Sequence, residues 1–262
     1  MTPRLFTLAL SFAAALFGGL TAAAKQPKPV RVILVGDSTM ARGSGYGDAL
    51  CARFVSEVKC INLARGGRST STFRKEQRWA DVEALLRDGG AFSASYVLIQ
   101  FGHNDQPGKG KRSTDLVTGF GPNMSRYASE TKALGGVPVL VTPLARRTFR
   151  GPYLHDTLGP WAQATRVAAT GQHAAFLDLH ADSIAAVQAM GPKEADTLAM
   201  APKEERRAAD ANGVEVVGAP KQAFDYTHVG AKGAAFFADM VEAELIAAIP
   251  SIKPYFKRQA PG

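Results

Sequence analysis

Five short stretches of this chain carry side chains able to do acyl-transfer chemistry. Gly36-Asp37-Ser38-Thr39 offers a hydroxyl. Asn62-Leu63-Ala64-Arg65-Gly66-Gly67-Arg68-Ser69 offers glycines with free backbone N–H groups, and Gly102-His103-Asn104-Asp105 offers a side-chain amide. Thr142-Pro143-Leu144-Ala145-Arg146-Arg147 ends in two cations, and Asp225-Tyr226-Thr227-His228 holds an acid and an imidazole three residues apart. Taken singly, each has an ordinary explanation: a turn and N-cap, a glycine turn, an Asx turn, a structural histidine. Taken together they are a nucleophile, the donors of an oxyanion hole, and a base with its orienting carboxylate.

The elements around them explain how such distant stretches would meet. Apolar runs at Val30–Val35, Val58–Leu63, Tyr96–Phe101, Val137–Val141 and Ala174–Leu179 are continuous rather than alternating, as strands covered on both faces are. Segments of helical spacing separate them. Tyr46, Leu50 and Phe54 share one face, as do Trp79, Val82, Leu85 and Leu86, and further helices are expected at Met124–Leu134, Leu158–Thr170, Ser183–Met190 and Ala231–Ile249. The alternation predicts one α/β domain over residues 25–262, a three-layer α/β/α sandwich around a parallel sheet. Ligands of such sheets bind beyond the carboxyl ends of the strands, where four of the five stretches fall; the fifth precedes the last helix.

Residues 1–24 have Arg4, an apolar run to Leu20 and Ala22-Ala23-Ala24, the pattern of a cleavable signal peptide, so the expected location is secreted or periplasmic. An uncleaved anchor is the alternative; no later window is apolar enough to span a bilayer, and no stable membrane association is expected. Export makes a Cys51–Cys60 disulfide plausible, against two buried thiols. Residues 191–222 are charged and read as a surface excursion or a flap beside the site.

These blocks closely resemble the SGNH (GDSL-like) hydrolase superfamily. Gly36–Thr39, Asn62–Ser69, Phe101–Asp105, Thr142–Arg147 and Asp225–Ala234 look like its rhamnogalacturonan acetylesterase group, in order and spacing from about Val30 to Phe237. The resemblance implies a flavodoxin-like, five-stranded sheet of order 2-1-3-4-5. It implies Ser38 as nucleophile, His228 as general base and Asp225 as its orienter. The implied oxyanion donors are the N–H groups of Ser38 and Gly67 and the Asn104 amide; Gly67 is preferred to Gly66 because it directly precedes Arg68-Ser69. The absence of G-x-S-x-G separates the chain from the α/β-hydrolase elbow.

His103 is the rival base, although a histidine beside Asn104 also suits a bracing role. Asp178, His180 and Asp182 alternate like metal ligands but lack a fourth partner, so neither metal nor organic cofactor is expected. Lys plus Arg number 31 against 23 Asp plus Glu, a formal charge of +8, and many of these cations follow strands. Arg68, His103, Arg146 and Arg147 are the expected substrate contacts. The expected partner is an acetylated, acidic polysaccharide or oligosaccharide bound by a monomer, with no nucleic acid. The expected activity is a secreted carbohydrate esterase that removes O-acetyl groups from a pectic polysaccharide of the rhamnogalacturonan kind. Alternatives are an acetylesterase on xylan, a broad short-chain esterase, and, from another class, a non-catalytic acidic-glycan-binding protein. A phosphate-binding module is weakened by the single glycine that opens the first loop.

Overall fold

The computed structural model describes residues 28–202 and 224–258. The expected export segment, and the charged stretch from residue 203 to 222, lie outside the described residues.

Five parallel strands, β1 (Val30–Gly36), β2 (Val58–Asn62), β3 (Ala94–Gln100), β4 (Val137–Val141) and β7 (Ala175–Leu177), form one sheet in the order β2-β1-β3-β4-β7. A small antiparallel hairpin, β5 (Phe149–Arg150) and β6 (Tyr153–Leu154), precedes the last sheet strand. Apart from that insertion the order is the 2-1-3-4-5 implied by the resemblance.

The inner strands β1, β3 and β4 are mostly apolar because both faces are covered, whereas the edge strand β2 (Val-Lys-Cys-Ile-Asn) is only partly buried, with Lys59 exposed. Val30, Val32 and Leu34 point into one core with Leu98, Val139 and Val141, while Ile33 and Val35 point into the other with Val97, Ile99 and Leu140. Burying each such side chain contributes about 1.5–3 kcal/mol. Helices α1 (Gly47–Cys51), α6 (Leu179–Asp196) and α7 (Ala231–Ala248) cover the first face; α3 (Arg78–Arg87), α4 (Gly121–Ala133) and α5 (Gly159–Gly171) cover the second. Arg31 is the exception within β1. Its guanidinium donates to Ser95 Oγ at 3.0 and 3.2 Å and lies 4.4 Å above the Phe92 ring, so the charge is partnered where burial lowers its pKa.

Several boundaries differ from the expectations. Phe54 does not continue a helix; it forms an isolated bridge to Phe256, the rings 4.4 Å apart. Helix α6 starts four residues earlier than Ser183 and runs to Asp196, with a break at Gly191, whose φ of +69° is open to glycine. A six-residue helix, α2 (Thr70–Lys75), follows β2. Cys51 and Cys60 are bonded, tying α1 to β2.

Candidate functional site

The loop after β1 is folded tightly around Ser38. Asp37 Oδ1 accepts from the Thr39 N–H at 2.9 Å and from its hydroxyl at 2.8 Å, a local turn that leaves Ser38 at the crest with 8% of its surface exposed. Ser44 Oγ donates to the Ser38 carbonyl at 2.7 Å, and the Ser44 carbonyl accepts the Val229 N–H at 3.0 Å. One residue therefore pins the serine loop to the segment that carries His228. At the root of the loop, Gln100 receives the Tyr46 hydroxyl at 2.6 Å and donates to Thr39 Oγ1 at 3.1 Å.

Asp225 organises its own turn. Its Oδ1 accepts the N–H groups of Thr227 (2.8 Å) and His228 (2.9 Å), and its Oδ2 faces His228 Nδ1 at 2.7 Å. Partial burial would raise the carboxyl, but those three contacts outweigh it and hold Asp225 below the usual carboxylate range. The pair can hold the imidazole in one tautomer, with Nε2 free to take a proton.

The other expected oxyanion donors lie on two further loops, with Asn104 lining the same cleft as Ser38 and Gly67 lining a neighbouring hollow. Among the described residues, the backbone N–H groups of Ser38, Gly66 and Gly67 donate to no protein acceptor. Gly67 has φ +75°, which glycine alone adopts freely, whereas a Cβ at Gly66 would sit 3.8 Å from Ser38 Cβ in ordinary contact. Asn104 Nδ2 donates to the Arg68 carbonyl at 3.1 Å and Oδ1 accepts from Arg112 Nη1 at 3.3 Å, leaving one amide hydrogen unassigned. The two loops are stitched together by Asp105, which accepts the Thr70 N–H at 3.0 Å and its hydroxyl at 2.5 Å at the start of α2. Burial pushes the Asp105 carboxyl up to about 7 against those hydrogen bonds.

Ser38, Asn104 and His228 line one cleft of about 530 Å³, together with His103, Lys109, Arg112 and Arg146. Among the described residues, no carboxylate lines it. Burial lowers the Lys109 and Arg146 pKa values, and for Lys109 the neighbouring Arg146 and Arg112 push the same way.

Of the four expected substrate contacts, Arg146 and His103 line this cleft. Both His103 ring nitrogens are buried, with Nδ1 3.5 Å from Asp37 Oδ2, and burial lowers its pKa against the attraction of Asp37. Arg68 lies in a neighbouring hollow, paired with Glu76 at 3.0 Å. Arg147 requires a correction. It is fully buried, and its guanidinium donates to the carbonyls of Asp225 and His228, both at 2.8 Å, and of Thr227 at 3.4 Å, so no donor reaches the cleft. It is a positioning residue for the turn instead of a substrate contact.

Among the described residues, Asp178, His180 and Asp182 form no group that could hold a metal ion. Asp178 pairs with Arg166 and accepts from Thr142, while His180 faces the Pro143 carbonyl and Asp156. Ser44 and Asp105 were not singled out for any role by sequence reasoning. Asp105 stands directly after Asn104, but no local signal connects it to Thr70, 35 residues away.

A hydroxyl, a carboxylate-backed imidazole and unassigned N–H donors at the rim of a parallel sheet can work as a hydrolase with an acyl-enzyme intermediate. Residues 34–236 match the GDSL-like Lipase/Acylhydrolase family, and the chain belongs to it; it is a carboxylic ester hydrolase. The rhamnogalacturonan acetylesterase RhgT of Bacillus subtilis is 31% identical over 224 residues, covering 82% of this chain and 88% of that protein. The crystal structure of protein YXIM from Bacillus subtilis superposes with a TM-score of 0.64 at 22% identity. That match covers 84% of this chain, which spans 57% of YXIM's length. Axe2, an acetylxylan esterase from Geobacillus stearothermophilus, gives a TM-score of 0.57 at 18% identity, covering 82% of this chain and 93% of its own. Both structures agree on the fold.

Proposed function

We propose that this chain is an exported acetylesterase that removes O-acetyl groups from an acidic pectic polysaccharide of the rhamnogalacturonan kind. Ser38 Oγ attacks the ester carbonyl while His228 Nε2 takes its proton, and Asp225 stabilises the imidazolium that forms. The N–H groups of Ser38 and Gly67 and the spare Asn104 hydrogen receive the tetrahedral oxyanion. His228 then protonates the departing sugar oxygen, leaving acetyl-Ser38. A water deprotonated by His228 attacks that ester and releases acetate, restoring the free serine.

The observation that carries the reading is the composition of the cleft wall: Ser38, Asn104 and His228 share it with Lys109, Arg112 and Arg146, and among the described residues no carboxylate lines it. Such a wall favours a substrate with negative charge close to the scissile ester, which a uronate chain supplies and xylan's neutral backbone does not. The similarity to RhgT over most of both chains points the same way.

The deciding experiment is acetate release from acetylated rhamnogalacturonan and acetylated xylan at low and high salt, for the wild type and Ser38→Ala. The expected result is preference for the acidic polymer, weakened by salt, and loss of release in Ser38→Ala with folding intact. Equal turnover of both polymers would refute the acidic substrate. Full activity of Ser38→Ala would refute the mechanism, and polymer binding by the wild type without any turnover would make the chain a glycan-binding protein.

A further inference from the structure

Arg112 stands between two depressions. It lines the cleft that contains Ser38, and it also lines a second hollow of about 640 Å³ whose wall carries Arg68, Lys75, Glu76 and Lys111. Gly67 borders that hollow too, and a Cβ placed there would lie 3.5 Å from Arg112 Nη1. The hollow therefore adjoins the cleft at the loop that sets Gly66 beside Ser38 and Gly67 beside Arg112.

The charges of the hollow do not cancel. Among the described residues Glu76 is its single carboxylate, and its Oε2 already accepts from Arg78 Nε at 2.7 Å and Arg68 Nε at 3.0 Å, contacts that hold it below its ordinary value. Arg68 is further fixed by donating to the Gly66 carbonyl at 2.7 Å. Among the described residues, Lys75, Lys111 and Arg112 have no ion-pair partner. Lys75 ends α2, where the helix dipole accounts for a cation, but Lys111 and Arg112 lie on a three-residue turn, Gly110–Arg112, with no such reason.

Cations lining adjoining depressions suit a chain that repeats its negative charge. We infer that the second hollow is a subsite for the carboxylate of the next uronate along the polymer from the acetylated sugar, with Lys75 and Lys111 as specificity-determining residues and Arg112 shared between the two positions. This rests on the acidic-polysaccharide reading above and extends it: recognition reaches beyond the sugar that is deacetylated, so the enzyme prefers polymer to monomer. A neutral glycan has nothing to place there.

The test is the double variant Lys75→Gln/Lys111→Gln in the full chain. Binding of unacetylated hexagalacturonate is measured by calorimetry, alongside galacturonic acid monomer and a single-stranded oligodeoxynucleotide. Kinetics are measured on acetylated rhamnogalacturonan and p-nitrophenyl acetate. The expected result is roughly three- to tenfold weaker hexamer binding, a matching rise in KM on the polymer with kcat unchanged, a shallower salt dependence, and wild-type turnover of p-nitrophenyl acetate. Unchanged hexamer binding and polymer KM, while the wild type still prefers the acidic polymer, would overturn the subsite and leave the parent reading standing. Wild-type tightness towards the oligodeoxynucleotide equal to that for the hexamer would also overturn it, as a patch for any polyanion. A wild type that cleaves p-nitrophenyl acetate but ignores the acidic polymer would overturn both.

Discussion

The buried guanidinium of Arg147 donates to the carbonyl of His228 at 2.8 Å. The same Nη2 reaches the Asp225 carbonyl at 2.8 Å, and the Arg147 N–H donates to the Tyr226 carbonyl at 2.8 Å. The turn that presents the imidazole is thus held from beneath by one side chain from the loop that follows β4. Burial lowers the arginine's pKa, opposed by the carboxylates of Asp225 and Asp196.

Arg147→Lys keeps the charge but cannot reproduce the fork, so the turn loses its fixed orientation. The expected outcome is a fall in kcat of roughly tenfold or more with KM little changed, because binding at the cleft wall is untouched. Steady-state kinetics on p-nitrophenyl acetate and on acetylated polymer read this directly. Arg147→Ala should in addition lower Tm, since it leaves a buried gap and removes the donors to the carbonyls of Asp225, Thr227 and His228. A lysine variant with wild-type kcat would show that the turn holds itself.

Asn104 and Gly67 test the oxyanion donors separately. Asn104→Ala removes the spare amide hydrogen and should reduce kcat about 10²–10³-fold with a much smaller effect on KM. Gly67→Ala acts through the backbone. At φ +75° an alanine is strained by about 1–2 kcal/mol, so the loop shifts and its N–H moves with it. At Gly66 a Cβ finds only an ordinary 3.8 Å contact with Ser38 Cβ, so Gly66→Ala should be the milder change. If Gly66→Ala is the more damaging of the two in kcat, the donor is the Gly66 N–H.

The comparison of Arg146 with Arg147 marks where sequence reading stops. Both follow a strand, and both read as rim cations. The chain direction alternates between them, sending one to the cleft and the other beneath it, and only the packing against residues 225–228 decides which. The inner strands β1, β3 and β4 were legible because nearly every position meets a core, and the partly buried edge strands β2 and β7 because their short apolar segments stand between stretches of helical spacing. The β5–β6 hairpin was not, since two-residue strands leave no period to detect. Ser38, Asn104 and the Asp225–His228 pair were legible as residue types at strand and helix ends. The links that position them, Ser44 to Val229 and Asp105 to Thr70, join residues too far apart for any local pattern to register.

The Cys51–Cys60 bond anchors α1 to β2, and Asn62 at the end of β2 donates to the Met40 carbonyl at 3.1 Å and to Asp48 at 2.9 Å. Closing so short a loop contributes about 2–3 kcal/mol in the chain-entropy model. Cys51→Ser/Cys60→Ser should lower Tm by several degrees while kcat at room temperature stays near wild type, because Asn62 still holds the serine loop from outside. Thermal melts with and without reductant check this. Insensitivity of the wild type to reductant under denaturing conditions would show that the bond does not form in solution.

The raised carboxyl of Asp105 gives the fold a specific pH signature. An aspartate in the unfolded chain ionises near ~3.9. In the folded protein burial pushes Asp105 up to about 7. Between those values the native state holds a proton that the unfolded chain has already released, so this residue's contribution to stability declines as pH rises and levels off above about 7. Glu244, raised to about 8 by burial and by Asp182 and Asp178, acts in the same direction over a slightly wider window. Asp37 and Asp225, held low, act oppositely, losing their contribution only as pH falls below the ordinary carboxylate range. Asp105→Asn keeps an oxygen for the Thr70 N–H and removes the titration. Relative to wild type it should therefore gain stability on going from about pH 4.5 to about pH 7.5, measured as the difference in Tm at the two values. Glu244→Gln separates the second group. If Asp105→Asn and wild type keep a constant Tm difference across that interval, Asp105 is ionised in the native protein throughout, and the Thr70 hydrogen bonds outweigh its burial.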